Sequence, residues 1–295
     1  MERRPSSSAR AFLPLLVLLL SSPTMVRAEE AGPGGWGTSL EVARTEAEKS
    51  GKLILVDLFA EWCGWCKTLE RQVFTAPEFK RYAEQFVLLR VDVEDGGEGT
   101  RLQARYGATS LPTLLLLDHR LALAGTVTGF APMPQYQAKI EAALLGWKDL
   151  MARFERALKS SDAGTIEPVA EELFGRQDGW RAATAFERML TAATLTPTQQ
   201  GWTRYRRAEA LRLSGQFEKA AQAVTEGMAE ATSRGVSDLV ARYELLSGLI
   251  ALDRGRCEEA RLAFEGFLAH HPDSNLRPVV KRNLAEIKHN PAACV

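Results

Sequence analysis

The residues best suited to do chemistry are two cysteines, Cys63 and Cys66, in the segment Cys-Gly-Trp-Cys. The apolar run 53–59 precedes them and helix-forming residues follow, so the pattern predicts a strand, a turn and a helix that begins at the cysteines. Unpaired N–H groups and the positive end of the helix dipole stabilise an anion there, so we expect Cys63 to ionise more readily than a free thiol. Cys66 lies one helical turn further on, close enough to close a disulfide with Cys63.

Zinc binding and a structural disulfide are the alternatives for this pair of cysteines. Zinc needs two more ligands near the pair, and the four histidines of the chain stand elsewhere without metal spacing: His119, His270, His271 and His289. We therefore predict a redox-active disulfide that needs no metal and no cofactor, with a structural disulfide as the remaining alternative.

This region resembles thioredoxin over roughly residues 36–146. The resemblance rests on Asp57 in the strand, on Trp-Cys-x-x-Cys-Lys at residues 62–67, and on Ser-Leu-Pro-Thr at residues 110–113 before another apolar strand. Residues 70–79 and 127–130 are most similar to bacterial periplasmic thioredoxin-like reductases, including the last domain of the transmembrane electron-transfer reductase. The resemblance implies an α/β thioredoxin fold, a central mixed sheet flanked by helices. It also implies a thiol–disulfide oxidoreductase, most similar to reductases of protein disulfides, with a redox partner protein.

The resemblance gives Asp57 a catalytic role beside the two cysteines. A carboxylate in an apolar strand is costly unless it has a partner or a purpose. The resemblance implies that Asp57 lies behind Cys66 and exchanges a proton with that thiol, whereas an exposed strand-end aspartate is the alternative. Arg90 stands where thioredoxins often place a lysine, and because arginine stays charged it could pair with Asp57 but hardly shuttle a proton.

The resemblance also implies a surface that binds the protein substrate around the disulfide. Its predicted members are Trp62, Gly64, Trp65, Leu111, Pro112 and Gly129. The tryptophans and Gly64 are expected to form a flat, partly apolar collar around an exposed Cys63 sulfur. The Leu111–Pro112 bond is expected to be cis and to pack against the thiols, leaving the Leu111 backbone to pair with an extended peptide; a trans proline is the alternative.

The first 28 residues have the features of a cleaved secretory signal. Arginines precede an apolar run at residues 11–20, and residues 26–28 offer the small residues that a signal peptidase reads. The run is shorter than the about 20 apolar residues of a membrane span, so we predict a periplasmic or secreted protein with no stable span after cleavage. Residues 29–37, rich in glycine, are predicted to be a disordered leader.

The charge of the 295-residue chain is balanced, because Lys+Arg and Asp+Glu both number 37. Such a balance supplies no overall field to attract nucleic acid, so we expect no nucleic-acid partner. The length allows one to two domains.

From residue 147 to residue 295 the sequence predicts helices alone. Residues 208–220 and 248–272 resemble tetratricopeptide (TPR) repeats, and residues 177–183 are a weaker match. The turn glycines Gly215 and Gly255 are further apart than the about 34 residues of that family, so residues 233–238 are expected to lengthen one loop. We therefore predict a thioredoxin-like domain at 29–146 and, at 147–295, about three helical hairpins whose concave face binds a peptide or protein.

Two further alternatives stay open at this point. The protein could be a non-enzymatic adaptor in which the repeats bind a partner and the thioredoxin-like domain is a platform, or a disulfide donor or isomerase that shares every site residue. The remaining cysteines either form a disulfide between Cys257 and Cys294, or Cys257 is buried in place of an aromatic side chain near a frayed tail.

Overall fold

A computed structural model describes residues 35–289 of the chain. The predicted signal segment, residues 29–34 of the predicted leader, and Cys294 with its predicted pairing to Cys257 all lie outside the described residues.

The end of the predicted leader is ordered, contrary to the sequence-based expectation. The Trp36 ring is buried and lies 4.8 Å from the ring of Phe74 and 6.5 Å from that of Phe79, measured between centroids. The Gly37 N–H donates to the Leu88 carbonyl, and the Gly37 carbonyl accepts from the Arg90 N–H, each at 2.9 Å. Burial of a large aromatic ring and two backbone hydrogen bonds outweigh the flexibility that glycine-rich composition suggests.

Four strands form one mixed sheet in the order β2-β1-β3-β4. Their bounds are β1 Leu53–Phe59, β2 Phe86–Asp92, β3 Thr113–Leu117 and β4 Leu123–Thr128. β1 pairs in parallel with β2 and antiparallel with β3, and β3 pairs antiparallel with β4. β1 and β3 are central and covered on both faces, which is why their sequences are nearly continuous apolar runs.

Helices cover both faces of this sheet. Their bounds are α1 Leu40–Ser50, α2 Gly64–Leu69, α3 Pro77–Ala83, α4 Glu98–Tyr106 and α5 Met133–Lys159, and a π-helical turn, Glu70–Phe74, continues α2. Residues of α1 and α4 pack with Ile54, Val56 and Leu58 on one face. Leu55 points to the other face and packs with α2, α3 and α5. Because side chains alternate along a strand, Asp57 shares the face of Leu55.

The fold is thus the predicted thioredoxin-like mixed sheet with flanking helices, followed by a helical region. The later helices are α6 Ala163–Gly175, α7 Gly179–Ala192, α8 Pro197–Leu213, α9 Phe217–Ser233, α10 Ser237–Asp253, α11 Cys257–His270 and α12 Arg277–His289. Three hairpins, α6–α7, α8–α9 and α10–α11, follow one another along the chain before α12.

The expected long loop at residues 233–238 is absent, and this detail of the prediction is wrong. α9 ends at Ser233 and α10 begins at Ser237, and each has 17 residues, so the extra length lies in the helices. Gly235 adopts φ 68°, and its N–H and that of Val236 close back on carbonyls of α9. Such a left-handed glycine ends a helix within one residue.

α5 connects the sheet to the helical region without a break. It has 27 residues, and the predicted boundary between residues 146 and 147 falls inside it. The turn after α6 also covers the edge strand β4: the Arg176 guanidinium donates to the carbonyls of Leu123 (3.4 Å) and Ala124 (3.2 Å). In return the Leu123 N–H donates to the Arg176 carbonyl at 2.8 Å. The edge strand is therefore closed to pairing with another chain along this stretch.

A buried charge cluster completes the joint between the two regions. The Arg181 guanidinium lies 2.9 Å from Asp118, which follows β3, and 2.5 Å from Asp178, which caps α7. Both carboxylates are buried, and the guanidinium lies 5.5 Å from the Trp147 ring of α5. One arginine thus serves as the counter-ion of two carboxylates, one from each side of the joint.

Replacing Arg181 with methionine is expected to destabilise the protein by about 3–5 kcal/mol, because it leaves two buried carboxylates without a counter-ion. The measurement is urea unfolding followed by circular dichroism. Arg261→Met is the matched control, since Arg261 also pairs with two carboxylates, those of Glu258 and Glu265, but on an exposed helix face. Equal urea midpoints for Arg181→Met and wild type would contradict the assigned role of the cluster.

Candidate redox site

Cys63 and Cys66 form a disulfide at the start of α2. The sulfurs are 2.02 Å apart and the Cα atoms 5.3 Å. Cys63 is the N-cap of α2, and its Sγ accepts a hydrogen bond from the Cys66 N–H at 3.1 Å. A backbone donor therefore already points at the Cys63 sulfur, and it lies at the helix end that favours a negative charge.

The cysteines themselves are more buried than the sequence suggested. Cys63 is 4% exposed, whereas its neighbours Trp62 and Trp65 are 68% and 62% exposed. Both cysteines pack in the cluster that includes Leu58, because the chain turns directly from β1 into α2. The two tryptophans therefore provide exposed apolar surface beside the disulfide, while Cys63 itself offers little.

The exposed tryptophans are held by two residues that the sequence did not single out. The Trp65 ring stacks on Phe130, with centroids 5.7 Å apart. The Trp62 indole N–H donates to the Glu94 carboxylate at 2.8 Å. Phe130 directly follows Gly129, a predicted member of the substrate surface. That adjacency is the sequence feature that could have pointed to Phe130. No local signal joins Trp62 to Glu94, which stands 32 residues later.

The Leu111–Pro112 bond is cis, as the resemblance implied. The Pro112 carbonyl accepts a hydrogen bond from the Gly129 N–H at 2.9 Å, and Gly129 adopts φ 74°, which favours glycine. Leu111 is half-buried and packs against the cluster that contains both cysteines. The turn at residues 110–113 and the loop at Gly129 and Phe130 are therefore tied together next to the disulfide.

Asp57 is buried in the centre of the sheet opposite Arg90. The two residues are partners in the β1–β2 register, and Arg90 Nε lies 3.3 Å from Asp57 Oδ2. Asp57 is 1% exposed, and its Oδ1 has no hydrogen-bond partner among residues 35–289. Burial raises the pKa of Asp57 to about 7, although the Arg90 charge opposes the rise and the Glu70 charge adds to it. This carboxyl therefore gains and loses a proton near neutral pH.

Glu70 is the residue of this cluster that the sequence-based prediction missed. Its carboxylate accepts from Arg90 Nη2 at 3.0 Å, and that hydrogen bond lowers the pKa of Glu70. Arg90 also stacks over the Phe59 ring, 4.3 Å from its centroid. Glu70 opens the π-helical turn four residues after Cys66, so the available signal was a carboxylate one turn beyond the dithiol. Arg90 thus links the buried Asp57 to the helix that carries the disulfide.

Tyr136 of α5 lies near the same carboxyl. Burial is the main cause that raises the pKa of Tyr136, and the charge of Asp57 adds to it. Its hydroxyl has no hydrogen-bond partner within the described part of the chain. The helix that continues into the helical region therefore begins beside Asp57.

Residues 35–119 match the family model described as Thioredoxin-like. This part of the chain is therefore a thioredoxin-like domain, and it carries the Cys63–Cys66 disulfide. Among the helices of residues 35–289, none combines the length and the hydrophobicity that spanning a bilayer requires.

The chain is similar to thiol:disulfide interchange proteins called DsbD. It is 33% identical over 107 residues to that of Cronobacter sakazakii, covering 35% of this chain and 19% of that protein. It is 30% identical over 145 residues to DsbD 1 of Pseudomonas aeruginosa, covering 39% and 24%. The match thus spans about a fifth to a quarter of these relatives. A putative disulphide-isomerase from Bacteroides thetaiotaomicron is 31% identical, with a TM-score of 0.34 and coverage of 40% of this chain and 97% of that one.

Proposed function

We propose that the protein is an exported, periplasmic or secreted, reductase of protein disulfides. The Cys63 thiolate attacks one sulfur of a substrate disulfide, forms a mixed disulfide and releases the other substrate sulfur as a thiolate. The Cys66 thiolate then attacks the Cys63 sulfur, which releases the second substrate thiol and leaves the Cys63–Cys66 disulfide. A dithiol redox partner protein reduces that disulfide again. Two electrons pass from the partner to the substrate in each cycle.

The observation on which this proposal rests is the position of Cys63 as N-cap of α2. A thiolate there accepts the Cys66 N–H and gains the favourable end of the helix dipole, so it is stabilised before any substrate arrives. The disulfide spans a single turn, which places the resolving sulfur within bonding distance of the nucleophile.

Asp57 supports the second step of the proposed cycle. Cys66 must lose a proton before it attacks, and a carboxyl with a pKa of about 7 accepts a proton at neutral pH without holding it tightly. We infer that Asp57 takes that proton, while Arg90, paired with both Asp57 and Glu70, keeps the carboxyl in place.

The predicted substrate surface fits an extended chain laid across the disulfide. Trp62, Gly64 and Trp65 offer exposed, partly apolar surface on one side, and we infer that the Leu111 backbone beside the cis Pro112 pairs with the substrate peptide. Gly129 shapes the adjoining loop through its bond to Pro112.

The helical module is proposed to dock the protein substrate or the redox partner. Three hairpins follow one another along the chain, and proteins built from stacked hairpins commonly bind peptides and proteins on an extended surface. α5 and the Arg181 cluster join that module firmly to the redox domain. A partner docked on the helices would therefore be held at a constant position relative to the disulfide.

Reduction of insulin and a redox titration against glutathione test the proposed direction of electron flow. With dithiothreitol as donor, the wild-type protein is expected to accelerate precipitation of the insulin B chain. A reductase should have a potential nearer the about −270 mV of thioredoxin than the about −120 mV of a strong disulfide donor. A potential near the second value, together with slow insulin reduction, would make the protein a donor of disulfides.

A further inference from the structure

A cavity of about 250 Å³ lies within the helical module, where α8 and α10 begin and α9 ends. Its apolar lining includes Trp202, Ala231, Val236, Leu239 and Tyr243. It lies at the open end of the α8–α9 hairpin, away from the turn at Gly215. The cavity is thus a separate feature from the redox site.

The walls of the cavity are preformed. A Cβ atom at Gly201 would lie 3.0 Å from Leu239 Cδ1, and one at Gly227 would lie 2.2 Å from the Tyr243 hydroxyl. These two glycines therefore let α10 approach α8 and α9 closely. The Trp202 ring is fixed by the Arg242 guanidinium, 5.0 Å from its centroid, and by an edge-on contact with another aromatic ring.

Two arginines and one glutamate line the same cavity. Glu230 pairs with Arg204 and, at 2.9 Å, with Arg234. Each guanidinium has five N–H donors, and both side chains stay partly exposed, so donors remain for a ligand after these pairs are made. The three groups together carry one positive charge, which favours an anion at the mouth of an otherwise apolar cavity.

The helix ends around the cavity add to this preference. The positive end of α10 has no side-chain cap, whereas the positive end of α8 is closed by the Thr196–Gln199 capping box and the negative end of α9 by backbone bonds. The N–H groups of Arg234, Gly235 and Val236 take up three of its last carbonyls, at 3.1, 3.1 and 2.9 Å.

We propose that this cavity binds the C-terminal residue of a polypeptide, with an apolar side chain inside it and the carboxylate on Arg204 and Arg234. The cavity is smaller than the about 300 Å³ at which small-molecule sites usually begin, and it is large enough to hold one C-terminal residue with its side chain. The proposal deepens the docking role of the helical module and rests on that part of the proposed function, while the redox chemistry stands independently of it. According to this proposal, the docked partner has a free carboxyl terminus, and its last residue is an apolar one such as leucine.

Fluorescence polarisation with the full chain tests this assignment. The probe is fluorescein-Gly-Ser-Gly-Ser-Leu with a free carboxylate, and the comparison peptide is its C-terminal amide. Saturable binding is expected for the free acid, and amidation or Arg234→Gln should weaken it at least about 10-fold because a charge-assisted hydrogen bond is lost. Val236→Glu should weaken binding as well, because it places a negative charge, the same sign as that of the peptide carboxylate, at a partly exposed position of the lining.

Arg261→Gln is the matched control, because Arg261 is similarly exposed and paired with two carboxylates but does not line the cavity. Equal affinity for acid and amide, or no binding of the acid at 1 mM, would overturn the proposal. Competition by 4-methylpentanoate as strong as that by the peptide would show that the occupant is a small acid and would also overturn it. Insulin reduction by the same wild-type preparation separates a failure of this site from a failure of the redox proposal.

Discussion

Replacing Cys63 with serine is expected to reduce the rate of insulin reduction to that of the dithiothreitol background. A serine hydroxyl keeps its proton at neutral pH and cannot attack a disulfide, so the first covalent step is lost entirely. The turbidity of precipitating insulin measures the rate, and urea unfolding of reduced wild type and reduced variant checks that the fold is retained. Equal rates from wild type and Cys63→Ser would remove the proposed catalytic role.

Cys66→Ser gives the complementary result, because it retains the nucleophile and removes the sulfur that resolves the mixed disulfide. Substrate proteins should then stay joined to Cys63 and migrate with the variant on a non-reducing gel. Treatment with dithiothreitol before the gel should release them. Cys63→Ser is the matched control and should capture none of them. Partners held without any covalent bond by the helical module alone would instead support the adaptor alternative.

The part of the site that the sequence predicted depends on short-range patterns. The apolar run of β1 continues into Cys63 and Cys66, so strand, turn and helix follow from composition and from where the helix must begin. Pro112 stood out because a proline at the entry of a strand fixes the backbone. The Arg90 pairing was also predictable, since Arg90 takes a position where the family places a cation.

What the sequence did not show depends on contacts between distant residues. The bond from Trp62 to Glu94 and the position of Arg176 on β4 join segments that share no periodicity. Glu70 is close to Cys66 in sequence, yet its role arises from the π-helical turn and from Arg90 on another strand. The predicted domain boundary between residues 146 and 147 falls inside α5 because helical periodicity gives no sign of where one packing environment ends and another begins.

Replacing Asp57 with asparagine is expected to slow insulin reduction about 10- to 30-fold at pH 7. Without the carboxyl as proton acceptor, Cys66 must ionise with an ordinary thiol pKa of about 8.5, so only a few per cent is thiolate at pH 7. The variant's rate should therefore rise about tenfold for each pH unit until about pH 8.5, whereas the wild type should level off near the Asp57 pKa of about 7. A mere structural defect would lower the rate equally at every pH.

The same substitution should alter how stability depends on pH. The pKa of Asp57 rises from 3.8 to about 7 on folding, so between these values the native state binds a proton that the unfolded chain does not. Its contribution to the unfolding free energy is therefore fully present below about pH 4 and falls by up to about 4 kcal/mol as the pH rises to 7. Asp57→Asn cannot ionise, so its stability relative to wild type should increase across that window and stay constant above it.

Urea unfolding of the oxidised protein at intervals from pH 4 to pH 8 measures this difference, and Glu70→Gln supplies its matched control. The Glu70 charge raises the pKa of Asp57, so removing that charge should move the window to lower pH while Asp57 still titrates. Glu70→Gln also removes the hydrogen bond from Arg90, which changes the free energy of unfolding. Because that bond lowers the pKa of Glu70, this change hardly varies with pH above that pKa. If wild type and Asp57→Asn differ by a constant amount across the whole range, the buried carboxyl is ionised throughout and cannot be the group that takes the proton from Cys66.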